Sequence, residues 1–257
     1  MSQVRSALAV CLFGLVALPA YALDEARYAA VLARHTVAVA DMASTRVDYA
    51  ALRSSSDWGA VVGSLVQDDP ERLRTREERL AFWINAYNIL AIDLVARHYP
   101  VKSIRDIGTF FAPVWKEAAG VVGERVYSLD EIENEILRPL GDPRIHGAIV
   151  CASLSCPPLR REPYRAADLE AQLGDNVQRW LRDPRKGARV DAAARTVWLS
   201  PIFDWFEGDF QGGAIAFVTR HATPELRAAL ARIPAPARSI EYMDYDWSLN
   251  DVRSAAR

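Results

Sequence analysis

The chain has 257 residues, and its 31 Lys and Arg against 33 Asp and Glu give a formal net charge of −2. That balance supplies no electrostatic reason to expect nucleic acid or an anionic membrane surface as a partner. The length suffices for a full core in one domain, while three cysteines are too few to carry a disulfide-scaffold fold.

Arg5 is the only charge ahead of the apolar run ALAVCLFGLVAL, and Ala20-Tyr21-Ala22 supplies small residues for a cleavage site. This pattern predicts a secretory signal peptide over residues 1–22, cleaved after Ala22 and too short to remain as a stable membrane span. Val10 is too large for a lipid-attachment signal at Cys11. The expected product is a periplasmic or secreted single globular domain over 23–257, with Cys151 and Cys156 as its cysteines.

Along the chain, residues 24–40 read as an Ala-rich amphipathic helix carrying His35. A long helix is expected from about Pro70 to His98, stopped by Pro100. Its centre, LAFWINAYNILAI, is apolar all round and therefore belongs in the core. VWKEAAGVVGERVYS predicts a hairpin turning near Gly120 to Gly123. SLDEIENEILR predicts a short helix with a Ser128–Glu131 capping box. IHGAIV has the length and β-branching of a strand, and GARVD pairs with TVWLS as a second hairpin. Helices near 166–181 and 212–231 and a late strand in SIEYMDYDW complete the pattern. The expected class is α+β: a single compact domain, mostly helical around a buried central helix, with a small antiparallel sheet of hairpins.

On the short helix, Leu129, Ile132, Ile136 and Leu137 make one apolar stripe at about 100° per residue, and Glu133 falls inside it. A buried carboxylate is costly unless paired. Glu133 is therefore either a base or histidine orienter, or half of a structural bridge to Arg105 or Arg138. Asn85 and Asn88 pose the same question on the long helix. Their amides either pin neighbouring loop backbone or hold a substrate carbonyl or oxyanion.

RIHGAIVCASLSCPPLR concentrates reactive side chains. Strand alternation would put His146, Ala148 and Val150 on one face and Ile149 and Cys151 on the other. The following turn could return Cys156 to His146, the arrangement of a thiolate nucleophile with its base. A Cys151–Cys156 disulfide is the competing reading, and a redox-active pair a third. No H-x-x-x-H or C-x-x-C pair is present, so no metal or other cofactor is expected. His98 and His221 sit at helix ends, where a C-terminal dipole suits them.

Val47–Tyr49, FWINAYN, LDEIENEILR, IHGAIVCASLSCPPL and IFDWFEGDF, in that order, resemble the domain-of-unknown-function family numbered 547, over about residues 45–212. The resemblance gives motif status to Asn85, Tyr87, Asn88, Glu133, Arg138, His146, Cys151, Ser155, Cys156, Pro157, Trp205, Asp209 and Phe210. Relatives fused to glutaredoxin-like modules imply thiol chemistry by association. Many relatives carry histidine at the position of Asn134, and plant relatives serine at that of Cys156.

The leading expectation is a cysteine-dependent hydrolase or acyl-transferase acting on a small-molecule or peptide substrate. Cys156 would be the nucleophile, His146 the base, and Glu133 or Asp209 its orienter. Asn85 or Asn88, with the Ser155 loop, would hold the oxyanion. The alternatives are a non-catalytic envelope or interaction domain stapled at Cys151–Cys156, and a thiol–disulfide oxidoreductase.

Overall fold

A computed structural model describes residues 23–109 and 112–256, without the side chains of residues 255 and 256; the signal peptide expected over 1–22 lies outside the described residues. Helix α1 (Glu25–His35) is capped by Asp24, whose carboxylate accepts the Arg27 N–H. It stops five residues short of the predicted end. At Thr36 the hydroxyl turns back to donate to the Leu32 carbonyl, and β1 (Thr36–Ala38) then pairs antiparallel with β2 (Thr45–Val47). Two helices not foreseen follow, α2 (Tyr49–Leu52) and α3 (Ser56–Val66), capped by Asp48 and Ser55.

Helix α4 (Arg76–His98) organises everything else. Thr75 and Glu78 form a reciprocal capping box, so the helix begins after a separate 3-10 turn at Pro70–Arg72 rather than at Pro70 itself. Every residue from Leu80 to Ile92 is buried. Burial of each large aliphatic side chain there contributes about 1.5–3 kcal/mol. By length and composition α4 is long and apolar enough to cross a membrane, but 89% of its most apolar stretch is enclosed by the rest of the protein.

The predicted hairpin is β3 (Ala118–Val122) with β4 (Arg125–Ser128). It lies directly on α4, because a Cβ at Gly120 would come within 2.4 Å of Leu90. Helix α5 (Leu129–Glu131) widens at once into a π-helical turn, Ile132–Leu137. Only half of the expected capping box forms: Ser128 accepts the Glu131 N–H, while the Glu131 carboxylate pairs with Arg125.

The strand expected at 145–150 does not exist. Asp142 caps a 3-10 turn, Pro143–Gly147, and irregular chain follows. Among the described residues no strand pairs with 145–150, and side chains bond its backbone instead. Asn88 bonds both the Ala148 carbonyl and the Val150 N–H, and Asn176 donates to the Gly147 carbonyl. Gly147 permits this, since a Cβ there would meet Val177 at 2.7 Å.

Helix α6 (Leu169–Arg182) joins two apolar clusters. Leu169 and Leu173 pack with the α4 core, whereas Val177, Trp180 and Leu181 pack with Phe203, Phe210 and Phe217. Strands β5 (Ala188–Asp191) and β6 (Thr196–Leu199) form the second predicted hairpin. Helix α7 (Ile202–Trp205) follows. The single helix expected over 212–231 is two, α8 (Ala214–His221) and α9 (Pro224–Ala231), divided by a new cap at Thr223. Strand β7 (Ser239–Tyr242) adds to β6 in parallel, so this sheet is not purely antiparallel. The whole is an α+β domain, mainly helical around α4.

Candidate functional site

Between the two clusters opens a cavity of about 280 Å³ that Glu133, His146, Cys151 and Cys156 all line. Three segments build it. The π turn places Glu133, the Pro143–Pro157 stretch places His146 and the cysteines, and the α7 region adds Phe206. The chain beyond β7 closes it. The Leu154 N–H donates to the Ser248 carbonyl, Asn250 N–H to Ala152 carbonyl, and Ser155 N–H to Asp246 carbonyl. That pairing carries Tyr245 and Trp247 onto the cavity wall.

His146 is almost fully buried, with its ring stacked 4.2 Å from that of Phe206. Its Nε2 lies 2.7 Å from Asp209 Oδ2, and Arg138 holds both Asp209 oxygens at 2.6 and 2.8 Å. The Arg138 hydrogen bonds keep the Asp209 carboxyl below its ordinary range. An ionised carboxylate only accepts, so Nε2 carries the proton and Nδ1 the lone pair. Burial pulls the imidazole down to about 4 against the opposing pull of Asp209, leaving it neutral at neutral pH.

Nδ1 faces Glu133 Oε1 at 3.8 Å, too far for a direct hydrogen bond. Glu133 Oε2 accepts from the Tyr87 hydroxyl at 3.3 Å. Burial raises this carboxyl to about 7, the Tyr87 bond pulling the other way. A carboxyl poised there gives or takes a proton at neutral pH. Arg105 is not its partner, and Arg138 is spent on Asp209 and Asn134. The structure therefore places Glu133 inside the cavity and Asp209 as the group that bonds His146.

The Cys151 and Cys156 sulfurs lie at disulfide distance, with Cα atoms 6.1 Å apart. Cys156 is buried, and Cys151 is partly exposed to the cavity. The Cys151 N–H points at Cys156 Sγ at 2.8 Å. The Tyr245 hydroxyl sits 3.1 Å from Cys151 Sγ and 3.4 Å from Cys156 Sγ, and the Ser153 hydroxyl 3.1 Å from Cys151 Sγ. Between the cysteines, Ala152 holds a left-handed φ of +60°, which a non-glycine residue adopts at a cost. No hydrogen bond joins Cys156 to His146 among the described residues.

The proposed oxyanion group is not assembled. The Asn85 amide exchanges two hydrogen bonds with the Tyr164 backbone, and Asn88 is occupied by Ala148 and Val150. The Ser155 hydroxyl accepts the Asp246 N–H, and its own N–H is bonded in turn. None of the three lines the cavity. One cause explains all three: each amide or hydroxyl is engaged by loop backbone away from the cavity.

Sequence reasoning passed over Tyr245 and Trp247. Their only signal is the aromatic density of YMDYDW, which strand propensity explains equally well. Lys186 also went unnoticed. It is buried, donates to the carbonyls of Cys156 (2.7 Å) and Ala43 (3.2 Å), and burial lowers its amine to about 7.

The stretch from the approach to α4 through α6, residues 70–181, matches the family model described as protein of unknown function, DUF547. That stretch belongs to the DUF547 family. The match contains the motif residues from Asn85 to Pro157, and ends before Asp209 and the aromatic segment that closes the cavity. It is narrower than the span of about 45–212 read from the motifs. No curated protein and no solved structure matches the chain.

Proposed function

We propose that this protein is a thiol–disulfide oxidoreductase whose working group is the Cys151–Cys156 pair. The observation that carries this reading is that the pair, at disulfide distance, forms the wall of a cavity also lined by a carboxyl poised near neutrality. A purely structural staple has no need of such a neighbour.

In the reductive half of the exchange, a substrate thiolate attacks the more exposed Cys151 sulfur and breaks the Cys151–Cys156 bond. Cys156 leaves as thiolate beside the Cys151 N–H and the Tyr245 hydroxyl, both able to donate to it. A second substrate thiolate then attacks the substrate sulfur of the mixed disulfide and releases Cys151. Two substrate thiols become one disulfide, and the protein pair gains two electrons and two protons. Glu133, which lines the same cavity, would pass those protons between the cavity and the thiolates. The reverse sequence oxidises the protein's thiols at the expense of a substrate disulfide.

The mature chain would work outside the cytoplasm, as the signal-like residues 1–22 imply, where such a pair persists. N-terminal sequencing of the exported protein should begin at Leu23. The functional test is equilibration in glutathione buffers, followed by iodoacetamide labelling and mass spectrometry. A potential above about −270 mV is expected, within the range of working redox pairs. A value below about −300 mV would mark a structural staple.

A second reading, cysteine-dependent hydrolysis or acyl transfer by reduced Cys156, has one observation in its favour. Asp209 orients His146 so that the unprotonated Nδ1 is on the side of the cavity. That reading requires reduced Cys156 to alkylate with an apparent pKa well below about 8.5, and His146→Ala to slow it. Unchanged labelling in His146→Ala would sink it.

A further inference from the structure

The cavity is lined by two kinds of group. Two are carboxyls, Asp130 and Glu133; Asp130 Oδ1 accepts from Asn134 and Glu133 Oε2 from Tyr87. Neither Asp130 Oδ2 nor Glu133 Oε1 accepts a hydrogen bond among the described residues. The same cavity is lined by four aromatic rings joined through Trp247. Trp205 stacks on Trp247 at 5.8 Å and 17°, Tyr245 touches both, and Trp115 lies 5.9 Å from Trp247. Trp205 is 47% exposed and lies outside both apolar clusters. Among the described residues lining this cavity, none is Lys or Arg.

Indole faces and carboxylates both attract positive charge, and two guanidiniums that touch this group of residues are already engaged. Arg138 is bound to Asp209, and Arg105 lies over Trp247 at 5.2 Å. That second contact is itself informative: the aromatic wall already holds one cation of this protein on its face.

We infer that the cavity binds a small organic ammonium ion, its charge between the Asp130–Glu133 carboxyls and the Trp205–Trp247–Tyr245 wall. The volume, near the lower bound for small-molecule sites, fits one compact headgroup and not an extended chain. As a statement about substrate, this rests on the thiol reading: the preferred exchange partner would be a thiol or disulfide bearing an amine. As a statement about binding, it stands apart from any sulfur chemistry.

The test compares choline with its neutral isostere, 3,3-dimethylbutan-1-ol, by calorimetry on the full mature protein. Choline should bind at least about tenfold more tightly, the range expected of a partly desolvated cation–π site. The Asp130→Asn, Glu133→Gln double variant should lose that preference while still binding the alcohol. Equal affinity, tighter binding of the alcohol, or no heat from either ligand overturns the inference. The wild-type comparison decides the matter even if the double variant does not fold. Because neither ligand contains sulfur, the result is independent of the glutathione titration, and the two readings fail separately. With cystamine and bis(2-hydroxyethyl) disulfide as oxidants of the reduced protein, the same preference should appear in the rate.

Discussion

Asn85 and Asn88 on α4, and Glu133 and His146 across from them, are all polar groups removed from bulk water, yet they are held in opposite ways. Each asparagine has both its amide nitrogen and its oxygen bonded to backbone of a packed loop. Among the described residues, Glu133 has one oxygen hydrogen-bonded and the other not, and His146 is fixed at Nε2 with no hydrogen bond at Nδ1. The first pair resembles mortar: both ends of each amide are engaged in joining elements. The second retains capacity facing a cavity. Burial alone therefore does not distinguish a structural polar residue from a chemical one; the unspent lone pair does.

The largest expected effect lies on the satisfied side. Asn88→Ala leaves the Ala148 carbonyl and the Val150 N–H unpaired in the core, each worth about 1–3 kcal/mol, so a loss of roughly 2–5 kcal/mol in urea unfolding is expected. The loop carrying Cys151 should loosen with it, seen as faster amide exchange around Val150. A loss under about 1 kcal/mol would mean water replaces the amide, and the comparison would weaken.

The same substitution logic reverses sign at Glu133. A carboxyl raised from 4.5 to about 7 in the fold contributes stability that is complete below about pH 4.5. That stability is lost as pH climbs through about 7, where the buried group must ionise. Glu133→Gln, neutral at every pH, should therefore stabilise the protein by on the order of 2–3 kcal/mol at pH 8 and leave it unchanged at pH 4. His146 acts in the opposite direction. Its depressed value costs stability as pH falls from 6.5 towards about 4, because the unfolded imidazole takes the proton first. In wild type the two trends offset between pH 7 and 4.5; in Glu133→Gln the acid loss from His146 should stand exposed. Denaturant midpoints across pH 4–8 check both.

The cysteine pair is next in size. If the bond contributes only chain entropy across its short loop, Cys151→Ser should cost about 2 kcal/mol relative to the oxidised protein and nothing relative to the reduced one. An equal loss in both redox states would assign Cys151 a packing role.

How far these distinctions were legible in the sequence follows from what each depends on. Helix α4 was readable because its uncharged run from Leu80 to Ile92 is dictated by its own neighbours. Helix α3 was readable in principle, with Ser55 as cap and Trp58, Val61 and Leu65 at helical spacing, but the serine run ahead of it masks its start. Residues 145–150 misled, since β-branching favours extension but cannot supply a partner strand. Glu133 was singled out by a 3.6-residue stripe, although the turn it occupies is π-helical and Ile136 is only partly buried. The identity of its partners depends on Tyr87 and on chain folding, neither visible in the stripe. Tyr245 and Trp247 reach the cavity through pairing of the Leu154 region with residues some ninety positions later, a contact that local pattern does not encode.

The finest test of the comparison is the hydroxyl that partly satisfies the unsatisfied side. Tyr87 donates to Glu133 and in doing so favours its ionised form, while burial and that same carboxylate push the phenol well above its ordinary value. Tyr87→Phe removes one hydrogen bond at little change of shape, so its cost should be only about 1 kcal/mol. Its effect on titration is the more telling readout. Without the donated proton the Glu133 carboxyl should move further above 7, and the pH at which cavity-dependent thiol exchange turns on should move with it. Carbon-detected NMR of Glu133 in both proteins measures the first, and exchange rates from pH 6 to 9 the second. If the carboxyl shifts and the exchange profile does not, Glu133 is a buried acid that the chemistry does not use, and it belongs with the asparagines.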